Sequence, residues 1–406
     1  MQSSLKISQE MNKVIVLGHS YLSRLAIIRA LGEYGYNITV LIVAREKKNV
    51  QIDCCSKYVN RVLVCPSFDG YSLVNILLEK CVEKNEKPIL IPTSDVTVSM
   101  IDDHQDKLKD YFLYPHVNNE RGKMVHWMDK SVQKNLARKI GLNVVEYWEI
   151  EIKNQHFSIP DHITYPCFVK PQITIRGGKS LFKRCNDKEQ LGRFIHEIAQ
   201  HRDNIKLLIE RFLEIDEEYA VVGFSDGENV IISGVIYLEQ VSQSHFGVAR
   251  LGKVLPVDSF QPLIDQFKSY VKTIGFVGLF DIDFLECQGT YYFCELNLRF
   301  GGSGDALTKM GVNLPVMLVE KLSTGSVRTF PPKITDQVTF VNERVCIDDW
   351  YRGFLSTKDY KYIEVRADFG FLENQNDPKP YLSFLNYRRK LWLKKIAKRL
   401  LHRSLN

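Results

Sequence analysis

Residues 293–305 read FCELNLRFGGSGD and set Glu295, Asn297 and Arg299 on alternate positions before Gly301, Gly302, Ser303 and Gly304. Side chains in an extended strand alternate between faces, so these three polar groups share one face. Leu296, Leu298 and Phe300 point the other way, where a core can take them. The segment upstream supplies a partner strand. Asp283 lies in GLFDIDFL, twelve residues before Glu295, and Gln288-Gly289 offers a turn between the two segments. A hairpin closed there brings Asp283 beside Glu295. Two adjacent carboxylates repel unless a cation separates them. With the Asn297 amide they form an oxygen donor set suited to Mg²⁺ (or Mn²⁺). A structural ion-pair network partnered by Arg299 would use the same residues, and the pattern alone leaves both readings open.

Two further elements lie upstream. The apolar run YPCFVKP ends on Lys170 and continues into QITIRGGKS, a glycine loop with basic residues of the kind that approaches phosphates. It is not a Walker A loop, whose first glycine would fall on Ile173. Further on, LLIERFLEIDEEYAVVGF joins two strand-like pieces through Glu210, Arg211 and Phe212, with Glu218 opening the second. Gly223 to Gly227 fits the G-x-S-x-G pattern of serine hydrolases, but a strand follows it where that elbow needs a helix. A hairpin turn is expected there.

The N-terminal part alternates strand, helix and strand: KVIVL, a helix from Tyr21 to Tyr34, NITVLIV, and later PILIPTSD. That order predicts a parallel sheet covered by helices. No G-x-G-x-x-G dinucleotide pattern accompanies it. Beyond Asp129-Lys130 a helix is expected over SVQKNLARKI, closed by Gly141, and after it strands with short turns dominate. QVTFVNERVCI and YIEVRADFGF read as further strands.

The nine cysteines have no metal-ligand spacing, and the opening residues lack the order of a secretory signal, so a cytoplasmic protein with reduced thiols is expected. Net charge is +6, yet residues 385–406 hold eight Lys or Arg and no acid, which leaves −2 on the rest. The body therefore has no electrostatic support for nucleic acid binding. The tail reads as an amphipathic helix with Leu385, Trp392, Leu393, Ile396, Ala397 and Leu400 on one side. Contact with the inner face of a membrane is one expectation for it, and docking on the body or on a second subunit is the other. Oligomeric state is not encoded in any readable feature.

Taken in order, these elements resemble the ATP-grasp superfamily of ligases over about residues 115–325. VIVLGHSYLSRLAIIRAL, PILIPTSD, and FLYP leading to DK resemble its carboxylate–amine ligase branch, which includes D-aspartate ligases of cell-wall synthesis. The resemblance implies an α/β plus α+β fold. A Rossmann-like domain over 13–114 would follow a tail over 1–12. An ATP-grasp domain of two α+β subdomains over 115–325 comes next, then a β-rich extension over 326–384 and a basic helix over 385–406. It implies ATP as cofactor, bound by Lys130, Lys170, and the loop residues Gly177, Gly178, Lys179 and Ser180. Glu210, Arg211 and Phe212 would read adenine through backbone groups, with Glu218 on the ribose. Asp283, Glu295 and Asn297 would hold the metal. Arg299, Lys170 and Arg176 would be catalytic, with Arg299, Gly301, Gly302 and Ser303 against the substrate. The implied reaction activates a carboxylate as its acyl phosphate and passes it to an amine, releasing ADP and phosphate. A thiol acceptor, bicarbonate as the carboxylate, or a non-catalytic nucleotide-binding scaffold are the alternatives. Two departures from the family are the missing proline in GLNVVEYW and the basic tail.

Overall fold

The computed structural model describes residues 13–19, 21–44, 52–245 and 247–403. Four parallel strands form the first sheet, β1 (Val14–Gly18), β2 (Ile38–Val43), β3 (Val59–Cys65) and β4 (Ile89–Pro92), in the order β3-β2-β1-β4. Val14 to Leu17 are buried, as an unbroken apolar run requires when helices cover both faces. The Tyr21–Gly32 helix follows β1 with nearly every residue buried, and the Asp95–Asp103 helix follows β4 with Ser94 as its cap.

A short strand, β5 (His116–Val117), leads to the Lys130–Ile140 helix. Asp129 caps this helix by accepting from Ser131 N, and Gly141 ends it with φ near 89°, a conformation glycine takes without strain. An antiparallel sheet of four strands comes next: β6 (Tyr147–Ile152), β7 (Cys167–Pro171), β8 (Lys183–Cys185) and β9 (Ile205–Arg211), ordered β6-β9-β7-β8. The Lys188–His201 helix buries Leu191, Phe194, Ile195 and Ile198 against it.

Residues 212–216 then pass to a third, larger sheet. It runs β14 (Thr290–Asn297), β13 (Phe276–Cys287), β10 (Glu217–Asp226), β11 (Val230–Val241), β12 (Ala249–Leu255), β15 (Val338–Val341) and β16 (Phe369–Gly370), with β5 on β13. The β13–β14 turn places Gln288 at φ 51° and Gly289 at φ 72°, the paired positive values of a type I′ hairpin. Ser225 is fully buried on β10 ahead of a hairpin, so the G-x-S-x-G match is a strand end.

The expectation of a β-rich extension over 326–384 is corrected. Only Val338–Val341 and Phe369–Gly370 are strands there, and helices occupy Glu343–Arg352 and Thr357–Arg366. Asn342 and Ser356 cap them, and Val345, Cys346, Asp349 and Trp350 bury one stripe at helical spacing. The final helix also starts earlier than read, at Lys379, and runs to Arg403. It docks on the body: Phe384 and Leu391 are buried, and Trp392 stacks on Trp350 at 4.3 Å. Leu393 and Ile396, placed on the same apolar side by the sequence reading, are exposed. Leu400 lies outside the residues whose side chains are described. Arg29 binds Asp377 at 3.1 Å and the carbonyls of Phe371 and Leu372, which ties the C-terminal segment to the first domain's helix.

Candidate functional site

The face expected from the quoted strand is present. β13 and β14 pair so that Asp283 stands opposite Glu295 and Asp281 opposite Asn297. Leu296, Leu298 and Phe300 are buried on the other side. The Lys130–Ile140 helix fixes this hairpin through one amide: Gln133 Nε2 donates to Leu296 O (2.7 Å), and Leu296 N donates to Gln133 Oε1 (2.9 Å). Gln133 thus sets the height of Glu295 and Asn297, a role no local pattern announces.

Charges are arranged along the face in sequence. Lys130 Nζ lies 2.7 Å from Glu295 Oε2 and donates to Thr174 Oγ1 at 2.8 Å. Burial alone would raise the Glu295 pKa, but Lys130 and Lys170 outweigh it and hold the carboxyl down at about 2. Asn297 Nδ2 donates to Asp283 Oδ2 at 3.2 Å. Arg299 donates from Nη2 to Asn297 Oδ1 (3.1 Å) and from Nε to Asp95 Oδ1 (2.8 Å), so the first residue after the Ser94 cap reaches the site from the parallel sheet. A small cleft opens between Asp95, Lys130, Thr174, Glu295 and Asn297.

Asp283 and Asp281 are the carboxyls of this face with no ion-pair partner among the described residues. Burial pushes the Asp283 carboxyl well above its ordinary range, and the charges of Asp281 and Glu295 push it further. Burial raises Asp281 to about 6 against the pull of Arg299. A buried same-sign cluster of oxygen donors is costly unless a cation enters it, and its donor chemistry fits a hard divalent ion. Asp283, Glu295 and Asn297 are the residues that would hold one. Asp281 was not singled out from sequence, although D-x-D in GLFDIDFL repeats the same period of two.

Lys170 lies near the end of β7 as expected, and its side chain meets Glu210, a residue expected to act only through its backbone. Glu210 is buried and Oε1 lies 2.8 Å from Lys170 Nζ and 2.9 Å from Lys134 Nζ. Burial opposes its charge, yet the two ammonium groups keep its pKa at about 2. Burial likewise opposes the Lys170 charge, and Glu210 and Glu295 overcome that, raising its pKa. Arg211 N donates to Glu146 O and Phe212 N to Pro166 O, each at 2.9 Å, so these two amides are already engaged within the protein. The Phe212 ring lies under the Arg184 guanidinium at 4.1 Å. Glu218 sits on β10, partly buried, and burial raises its pKa.

The glycine loop is compact: Thr174–Gly177 forms one helical turn and Gly178 follows at φ 75°. Ser180 is exposed. The expectations for Arg176, Gly177 and Lys179 fall outside the residues whose side chains are described. Gly301 and Gly302 begin the turn after β14, and Ser303 precedes the Gly304–Lys309 helix. A Cβ at Gly301 would fall 2.5 Å from Asp281 Oδ2, so only glycine lets loop and carboxylate meet.

No protein-family model matches the chain. Carbamoyl phosphate synthase large chain from Methanocorpusculum labreanum is 30% identical over 152 residues, 36% of this chain and 14% of that protein. The C-terminal section of the same enzyme from Methanocaldococcus jannaschii is 23% identical over 201 residues, 48% of this chain and 32% of that one. The chain thus spans less than a third of these relatives' own length. Among solved structures, L-amino acid ligase from Bacillus licheniformis superposes with a TM-score of 0.60 at 16% identity, covering 82% of this chain and 80% of that one. N5-carboxyaminoimidazole synthetase from Staphylococcus aureus, solved with ADP, gives 0.59 at 14% identity over 86% of each chain. The biotin carboxylase domain of Hydrogenobacter thermophilus 2-oxoglutarate carboxylase, solved with MgADP and bicarbonate, gives 0.60 at 17% identity over 82% and 74%. The chain thus shares its fold with these ligases and carboxylases, and part of its sequence is similar to carbamoyl phosphate synthase large chain, a likeness of the kind that the ATP-grasp resemblance implies.

Proposed function

We propose that the chain is an ATP-dependent ligase that activates a carboxylate as an acyl phosphate and transfers it to an amine, forming ADP and phosphate. The observation that carries this reading is the charged row along the β13–β14 face, Lys130 with Glu295, Asn297 with Asp283 and then Arg299 on Asn297, with Lys170 near enough to feel the Glu295 charge. The reaction brings anions together, so its main requirement is charge neutralisation in a fixed geometry. Lys170 and Lys130 would take the nucleotide's phosphates, with Arg176 and Lys179 closing over them. A divalent ion on Asp283, Glu295 and Asn297 would neutralise phosphate charge. Arg299, oriented by Asp95, would hold the substrate carboxylate and the phosphoryl group arriving on it. Glu210, Arg211 and Phe212 would line the adenine side, with Glu218 on the ribose. Cell-wall or surface-polymer synthesis is the setting that the D-aspartate-ligase resemblance suggests.

ADP release, screened over amino acids of both hands with several carboxylates, tests the reading. Glu295→Gln is expected to cut acceptor-dependent ADP formation at least about 100-fold, the scale of removing one transition-state electrostatic contact. Undiminished turnover in that variant would reject the metal assignment. A second reading, with bicarbonate as the carboxylate, is favoured by the likeness to the bicarbonate-bound Hydrogenobacter domain. Bicarbonate-dependent ADP release without any added carboxylate would select it.

A further inference from the structure

Asp281 is more than nine-tenths buried, and its Oδ1 is enclosed with no hydrogen-bond partner among the described residues. The neighbouring cation does not neutralise it directly: Arg299 donates to Asp95 and Asn297, and its nearest carboxylate within 4 Å is Asp95. A buried carboxylate without a partner is costly and is retained where something binds to it. Its position says what. Along the β13–β14 face, Lys130 pairs with Glu295 at the end that the ligase reading gives to the phosphates, and Asp283 stands opposite Glu295. Asp281 is two residues further from that end, opposite Asn297, and a Cβ added at Gly301 would fall 2.5 Å from its Oδ2. It therefore sits on the acceptor side of the row, beside the guanidinium and the glycine turn.

We propose that Asp281 anchors the ammonium group of a zwitterionic substrate whose carboxylate is held by Arg299, so that the activated carboxylate belongs to an amino acid. This rests on the ligase reading above and narrows its substrate class. An anion lacking the amino group would leave Asp281 buried and unpartnered, which a polar site penalises strongly. Gly301 is part of the device, since a side chain there would displace the carboxylate.

The test uses the full chain with MgADP and MgATP, and a panel of L- and D-amino acids, each paired with the matching carboxylic acid that lacks the amino group. Thermal-shift titration reads binding and ADP release reads turnover. Expected are an MgADP shift, a further response to at least one amino acid, and a response at least about 30-fold weaker to its des-amino partner. Asp281→Asn should raise the KM for that amino acid about 30-fold while leaving the KM for ATP and the Mg²⁺ half-saturation within about threefold, as loss of one charged hydrogen bond predicts. Gly301→Ala should reproduce the KM change and serves if the first variant folds poorly. Equal response to amino and des-amino acids, or no response to either in the presence of an MgADP shift, overturns the anchor alone. A shifted Mg²⁺ half-saturation with unchanged amino acid KM also overturns it and makes Asp281 a metal ligand. Absence of any MgADP shift overturns the ligase reading itself.

Discussion

Replacing Glu210 by Gln removes the one carboxylate that both Lys134 and Lys170 face at 2.9 and 2.8 Å. The lysines and Glu210 are buried, so the loss is not screened by solvent. Glu210 titrates at about 2 against an ordinary 4.5. A difference of about 2.5 pH units at 1.36 kcal/mol each is about 3 kcal/mol of folding stability at neutral pH. The same scale applies to breaking any buried pair by removing one partner. The pKa is depressed in the folded state, so this contribution is fully present above pH 4.5 and fades as pH falls from 4.5 towards 2. Equilibrium urea unfolding of the full chain is the assay, with Trp148, paired with Ile209 on the neighbouring strand, as a local fluorophore. Glu210→Gln should be destabilised by about 3 kcal/mol at pH 7 and by about half of that at pH 3. Adding Lys134→Met should restore part of the loss, because an apolar residue leaves one fewer buried charge uncompensated. A single variant within about 0.5 kcal/mol of wild type at pH 7 would refute the reasoning, showing that Glu210 is not the counter-charge of the lysines.

The remaining predictions concern the C-terminal segment. Asp377→Ala leaves Arg29 buried without its carboxylate and should cost about 3–5 kcal/mol, with earlier proteolytic cleavage between residues 369 and 403; unchanged protection would show that the pair does not hold the segment. Lys390 and Lys394 are exposed on the docked final helix. If that surface meets anionic lipid, wild type should co-sediment with phosphatidylserine vesicles in low salt, and Lys390→Glu with Lys394→Glu should abolish it. Equal sedimentation of both proteins, or of neither, would count against the membrane contact.

Local pattern was sufficient for much of this molecule. The alternation of Glu295, Leu296 and Asn297, the Gln288-Gly289 turn and the apolar run of β1 are decided by neighbours in the chain and appear as read, whereas the strand itself stops at Asn297. The same period of two placed Glu295 and Asn297 on one face with Asp283 opposite Glu295, and Arg299, past the strand's end, still reaches Asn297. Local pattern failed over 343–366, between two short strands that are present, where β-branched and aromatic residues favoured strand while the helix caps Asn342 and Ser356 were the local signal passed over.

Tertiary structure alone decided which charges meet. Lys130 finds Glu295 from 165 residues away and Arg299 finds Asp95 from 204, distances over which no spacing rule applies. Glu210 reads as a solvent-facing acid by type and becomes a buried counter-ion because two helix and strand lysines converge on it. The unpartnered state of Asp281 is likewise a property of packing, since burial and hydrogen bonding depend on everything that folds around a residue. Sequence specifies which way a side chain leaves its own strand; what waits for it there is supplied by the rest of the chain.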